Sequence, residues 1–152
     1  VTQVDFYILD EADAADRAQF ACRLAERACD AGHRVYLHTG DAAQTRWLDE
    51  LLWTFRADSF VAHAAIGDSD GSDATPLLIG HNAEPAAGRE VLINLAGEVP
   101  AFFSRFPRAL EIIADDPALR AAGRARYSYY KDRGYPLRHH RIGVDGRAAH
   151  NR

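Results

Sequence analysis

Lysine is nearly absent from this sequence: of its 18 Lys and Arg residues only Lys131 is a lysine. No G-x-x-x-x-G-K-[ST] stretch occurs, which excludes a P-loop nucleotide site. Glycine is missing where a dinucleotide fold would need it. The first apolar run, "VDFYIL" (residues 4–9), leads into "DEADAAD", which sets acids where a pyrophosphate would approach the backbone. Cysteine is scarce as well. Cys22 and Cys29 stand seven apart in a helical pattern, too far for a bridge, and read as small core residues rather than redox or metal groups. Long apolar runs are also lacking: none approaches the ~20 residues of a membrane span. The first residues, "VTQVDFYILDEAD", have neither the basic start nor the apolar core of a signal peptide. The expectation is a cytoplasmic chain that makes no use of a membrane.

What is present reads as one globular domain, since 152 residues with 47% hydrophobic and 26% charged content can bury their own core. Residues 1–142 are taken as that domain, and 143–152 as a polar C-terminal tail with the composition of a disordered segment. After the strand-like "VDFYIL", the stretch "DAADRAQFACRLAERACDAG" spaces Phe20, Leu24 and Ala28 as a helix ended by Gly32. "HRVYLH" predicts a second strand. "DAAQTRWLDELLWTF" predicts a helix capped by Asp41, with Leu48, Leu51, Leu52 and Phe55 on its apolar stripe. "SFVAH", "LLIG" and "VLINL" are short buried-strand candidates, and "PAFFSRF" predicts a helix with Pro100 in its first turn and Phe102, Phe103 and Phe106 toward the core. "ALEII" is one more strand. Finally, "DDPALRAAGRARYSYYKDRG" predicts a helix capped by Asp116, with Pro117 in the first turn and Gly134 at its end. Strands alternating with helices predict a three-layer α/β fold, Rossmann-like, with a mostly parallel sheet covered on both faces and no nucleotide-binding loop.

Catalytic and metal signals are weak. "DSDGSD" (residues 68–73) has its glycine too early for an EF-hand and no glutamate at the twelfth position, so a solvated turn is the better reading. His139 and His140, in "RHHR", are surrounded by cations that oppose a metal ion, and read as a polar C-terminal segment. Ser59 and Ser104 lack nucleophile-elbow glycines, and Asp49 with Glu50 reads as an exposed helix face. No catalytic residue, metal site or cofactor is expected.

Charge is the most informative feature. Residues 118–141, "ALRAAGRARYSYYKDRGYPLRHHR", hold seven Lys and Arg against one acid, Asp132, while the rest of the chain has 11 bases and 21 acids. Three readings fit this. Arg124, Arg126, Tyr127, Tyr129 and Tyr130 could bind single-stranded nucleic acid, with arginines on phosphates and rings on bases. An acidic peptide would suit the patch equally. Alternatively the cations simply solvate a terminal helix whose apolar side holds Leu119, Ala122 and Tyr130.

In order and spacing, "VDFYILD", "LDELLWTFRADSFVAH", "REVLINLAGEVPAFFSRFPRALEII" and "RARYSYYKDRGYPLRHH" resemble the chi subunit of bacterial DNA polymerase III holoenzyme, over residues 4 to about 142. The resemblance implies a non-catalytic replication adaptor with a nucleotide-binding-like fold and no nucleotide. It implies two partners, the psi subunit, which connects to the clamp loader, and the acidic C-terminal tail of single-stranded DNA-binding protein (SSB), so that DNA is met only indirectly. The family's tail-binding positions match Ile113, Arg120, Arg124 and Tyr127. Arg120, Arg124 and Tyr127, four and three apart, share a helical face, so two guanidinium groups can meet carboxylates beside an aromatic wall. Arg126, Lys131 and Arg133 are expected to widen the attractive field. The psi-binding positions match Trp53 and Phe60, although by pattern alone Trp53 fits a core stripe as well as an interface. Ala62 stands where the family usually has proline. A monomer is expected when the chain is alone.

Overall fold

The computed structural model describes residues 1–57, 61–66 and 75–143. Within these, seven strands form one sheet: β1 (Gln3–Leu9), β2 (Val35–His38), β3 (His63–Ala65), β4 (Leu77–Gly80), β5 (Val91–Asn94), β6 (Arg108–Ile113) and β7 (Leu137–Ile142). Their order is β3-β4-β2-β5-β6-β1-β7, and every pairing is parallel, a stricter arrangement than the mostly parallel sheet expected. Three helices accompany them: α1 (Ala14–Asp30), α2 (Ala42–Thr54) and α3 (Pro117–Asp132).

Side-chain alternation along each strand divides the interior into two layers. Leu9, Val35, Leu37, Leu77, Ile79, Val91, Ile93, Leu110 and Ile112 face α1 and α2, meeting Phe20, Leu24, Leu48 and Leu52. Val4, Phe6, Tyr36, Leu78, Leu92 and Ala109 face the other side, where Phe103, Phe106 and Tyr130 cover them. The inner strands β2, β4 and β5 are therefore buried on both faces, as parallel sheets require, while the edge strands β3 and β7 are only partly covered. Cys22 is buried and Cys29 half-buried, both free, and burial pushes their thiols up to about 12 and about 11. They pack as small core residues.

Local signals place the helix ends where the sequence expects them. Asp41 accepts from Gln44 N–H and Asp116 from Leu119 N–H, while Gly32 and Gly134 adopt the left-handed backbone (φ 91° and 80°) that ends α1 and α3. At the start of α1, Asp13 and Asp16 form a capping box, and the Asp16 N–H holds the Asp13 carboxyl below its usual range. The N-terminal N–H groups that would grip a phosphate in a nucleotide fold are thus occupied by the chain's own carboxylates.

Two expectations are corrected. The "PAFFSRF" stretch is not a helix but a three-residue 3₁₀ turn, Phe103–Arg105. Pro107 explains this, because a residue before proline is driven out of the helical region, and Phe106 is extended at φ −101°, ψ 137°. The phenylalanines still reach the core side, with Phe103 and Phe106 buried and Phe102 packed against them. The second correction concerns "LRHHRI", which is the edge strand β7 rather than a polar terminal segment. Pairing with β1 lays His139 over Phe6 and stacks His140 on Tyr7 at 4.7 Å between ring centres, so polar residues form a strand by using β1 as a template. Phe60, "DSDGSD" and tail residues 144–152 lie outside the described residues.

Candidate functional site

The arginines of α3 and of its C-cap, Arg133, fall into three environments. Arg126 turns inward: its Nε donates to Glu111 Oε1 at 2.7 Å, and the two side chains are 4% and 0% exposed. Tyr130 Oη donates to Glu111 Oε2 at 2.7 Å, and Asn94 Nδ2 donates to the same oxygen at 3.0 Å. Gly123, Arg126 and Tyr130 form the buried face of the helix, with Leu119 and Ala122 only half-buried. The expectation that Arg126 widens the external field is therefore corrected. A fully buried carboxylate on β6 neutralises it, and a buried cation requires such a partner. Arg133 is exposed and lies over the Tyr129 ring at 3.6 Å.

Arg120 and Arg124 turn outward. Arg120 is paired with Asp115 at the start of the helix, and Asp115 also accepts from Glu11 N–H at 3.1 Å. Arg124 is exposed and has no ion pair or hydrogen bond through its side chain among the described residues. Tyr127, one turn on, is half-buried, its ring 5.4 Å from Phe6 and 5.2 Å from His139. Ile113, half-buried at the end of β6, packs into the same layer. The four sequence-predicted residues Ile113, Arg120, Arg124 and Tyr127 are thus brought together, with charge along the helix and apolar surface beside it.

Three neighbours complete the surface and were not read from the sequence. A Cβ on Gly123 would stand 2.7 Å from Ile113 Cδ1, so the missing side chain is what lets α3 settle on that isoleucine. Sheet register sets Ile8 level with Ile113 on one side and Arg141 on the other, all on the α3 face. Ile8 is half-buried, and Arg141 is exposed and bonded to Asp10 Oδ1 at 2.6 Å. The result is an apolar shelf, Ile113 to Ile8 to Tyr127, with guanidinium groups on two sides.

Trp53 stands elsewhere, on α2, and is 54% exposed, which resolves the choice between core and surface in favour of surface. Its ring lies 4.5 Å from that of His63 on β3. The His63 side chain is fully buried, with Nδ1 donating to Val61 O at 2.6 Å and Nε2 at 3.2 Å from Asp49 Oδ1, so the indole covers a tie between α2 and β3. Among the described residues, no group of three or more His, Cys, Asp or Glu could hold a metal ion, and no helix is long and apolar enough to cross a membrane.

An all-parallel sheet between helical layers, with its first helix capped by its own carboxylates, defines a Rossmann-like α/β protein. Solved structures share the architecture. The C-terminal domain of the DEAD-box protein Dbp5 superposes with a TM-score of 0.58 at 14% identity, over 93% of this chain and 91% of that one. T4 UvsW matches with a TM-score of 0.65 at 8% identity, over 93% of this chain and 41% of its own. These likenesses concern the fold alone. The sequence is more specific: the family described as "DNA polymerase III chi subunit, HolC" matches residues 1–138, and the chain belongs to that family. The DNA polymerase III subunit chi of Pseudomonas aeruginosa is 42% identical over 142 residues, 93% of this chain and 98% of the relative. Those of Haemophilus influenzae and Escherichia coli are 30% and 28% identical, over 91% and 87% of this chain and 96% and 92% of the relatives.

Proposed function

We propose that this chi-family chain acts as a non-catalytic adaptor in replication, holding the acidic C-terminal tail of SSB on the α3 shelf while its α2 side binds the psi subunit and, through psi, the clamp loader. One observation carries the tail site. Arg124 is an exposed guanidinium without a carboxylate partner among the described residues, one turn from half-buried Tyr127, which packs with Ile113 on the same apolar layer. A peptide ending in an aromatic residue and a free carboxylate suits that pairing, its charge meeting Arg124 and its ring entering the apolar shelf. Arg120 contributes after exchanging Asp115 for a peptide carboxylate. Trp53, large, exposed and amphipathic, has the character of an interface anchor, and Phe60 is assigned to the same psi-binding surface by its match to the family. In this reading the protein is cytoplasmic, monomeric when alone, and free of cofactor and catalytic residues, and it reaches DNA only through SSB.

The alternative, direct binding of single-stranded nucleic acid by the tyrosines and arginines of α3, is weakened by the same geometry. Arg126 and Tyr130 are committed to Glu111, and Tyr129 lies under Arg133. Titration decides between the two. Intact SSB and its isolated tail peptide should bind, tail-less SSB and bare oligonucleotide should not, and Arg124→Glu should abolish tail binding while the fold survives. Saturable binding of bare oligonucleotide, lost in Arg124→Glu, would overturn the adaptor reading in favour of direct nucleic-acid binding.

A further inference from the structure

A cleft of about 500 Å³ opens at the C-terminal ends of β2 and β5, away from the α3 shelf. The two strands are neighbours, yet β2 leads to α2 on one face of the sheet and β5 leads to the 3₁₀ turn on the other. Open parallel sheets hold ligands at such reversals. His38, Glu84, Gly97, Glu98 and Phe102 are among its walls, and among the described residues no Lys or Arg lines it. Glu84 is engaged by Arg105 at 2.6 Å, but the Glu98 carboxylate has no partner among the described residues.

The protonation pattern behind the cleft follows from a chain of buried hydrogen bonds. Asn94 Nδ2 faces Glu111 Oε2 at 3.0 Å and Glu98 O at 3.2 Å, two acceptors, while its Oδ1 accepts from Ala96 N–H at 3.2 Å. Rotating the amide by half a turn would set oxygen against oxygen and N–H against N–H, so its orientation is determined. Asn94 Oδ1 can therefore only accept from His38 Nδ1, 3.1 Å away, and the His38 proton resides on Nδ1. Burial favours the neutral ring, lowering the His38 pKa. Nε2 is left with a lone pair. It has no hydrogen-bond partner among the described residues, and His38, 8% exposed, lines the cleft.

We infer that this cleft is a receptor for a guanidinium group, an arginine side chain of a partner protein, which donates to His38 Nε2 and to the Glu98 carboxylate beside the Phe102 ring. The chemistry selects that class. An acceptor nitrogen and an unpaired carboxylate repel phosphates and carboxylates, whereas a guanidinium carries five N–H donors and stacks on aromatic surfaces. The wall that carries Glu98 is held from behind, since Asn94 Nδ2 bonds Glu98 O and Arg126 Nη1 bonds Gly97 O at 3.3 Å. The backbone that carries Glu98, and the His38 ring, are therefore set before any ligand arrives.

The test uses the full chain, with N-acetyl-arginine methylamide as probe and its neutral citrulline counterpart as control, followed by NMR of the His38 ring nitrogens and the Gly97 amide. Free protein should show the proton on Nδ1. The arginine probe should shift both reporters saturably, and the citrulline probe should bind at least about tenfold more weakly. Glu98→Gln, an exposed-side change that preserves the fold, should weaken the arginine probe by a similar factor, and Arg124→Glu should leave it unchanged. A proton on Nε2, no saturable shift, equal affinity for the two probes, or loss of the shifts in Arg124→Glu would each overturn the assignment.

Discussion

Replacing Arg126 by alanine tests whether the basic excess of α3 is an external field or partly a structural device. Arg126 and Glu111 are 4% and 0% exposed and joined at 2.7 Å, so the substitution leaves a carboxylate in the interior with only the Tyr130 hydroxyl and the Asn94 amide for company. Breaking a buried pair by removing one partner costs about 3–5 kcal/mol. Native domains are stable by only about 5–15 kcal/mol, so this is a large share. For a chain of this length each kcal/mol lowers Tm by about 2–4 °C, and Arg126→Ala should melt roughly 6–20 °C below the parent. Urea and thermal denaturation followed by circular dichroism measure it directly. Arg124→Ala, exposed and unpaired, should change stability by no more than about 0.5 kcal/mol while weakening tail binding. The converse pattern, with Arg126→Ala melting within about 2 °C of the parent yet losing tail binding like Arg124→Ala, would refute the buried pair.

Asp115→Asn should release Arg120 from its internal partner while keeping an oxygen for Glu11 N–H, raising affinity for an acidic tail peptide several-fold in calorimetric titration. Unchanged affinity would mean that Arg120 does not contact the peptide. Gly123→Ala should destabilise by about 1–3 kcal/mol through overpacking on Ile113, less about 1 kcal/mol of regained helix propensity, and should also weaken the tail peptide. Combining it with Ile113→Ala should recover stability but not binding, as denaturation and titration together would reveal. Trp53→Ala should cost psi binding about 2 kcal/mol or more yet lower stability by about 1 kcal/mol or less, because the ring is 54% exposed; a larger loss of stability would return it to the core. His38, whose pKa burial lowers from 6.5, should titrate below that value by NMR. The unfolded chain then takes up the proton first, so the stability due to neutral His38 is present above pH 6.5 and is lost as pH falls through the lowered folded value. A midpoint at or above 6.5 would contradict the buried neutral ring.

Most of what was legible in the sequence is encoded over a few residues. Asp41 and Asp116 cap the helix N–H groups three positions on, Gly32 and Gly134 adopt the backbone that stops a helix, and short continuous apolar runs mark strands covered on both faces. The spacing of Arg120, Arg124 and Tyr127 belongs here too, because a helix turns periodicity into a shared face. Other features depended on partners distant in the chain. Arg126 carries the same charge as Arg124 two positions away, and only the arrival of Glu111 from β6 divides a buried ion pair from an exposed binding group. "LRHHRI" has no strand character until β1 offers its open edge, and Gly123 is an ordinary helix-weakening residue until Ile113 occupies the space beneath it. His38 acquires a defined tautomer only where Asn94, Glu111 and Arg126 meet from three elements. Hydrogen bonds within four residues are set by local chemistry and can be read along the chain. Buried charge pairs, edge strands and close approaches are set by which elements pack together, and only the folded sheet decides that.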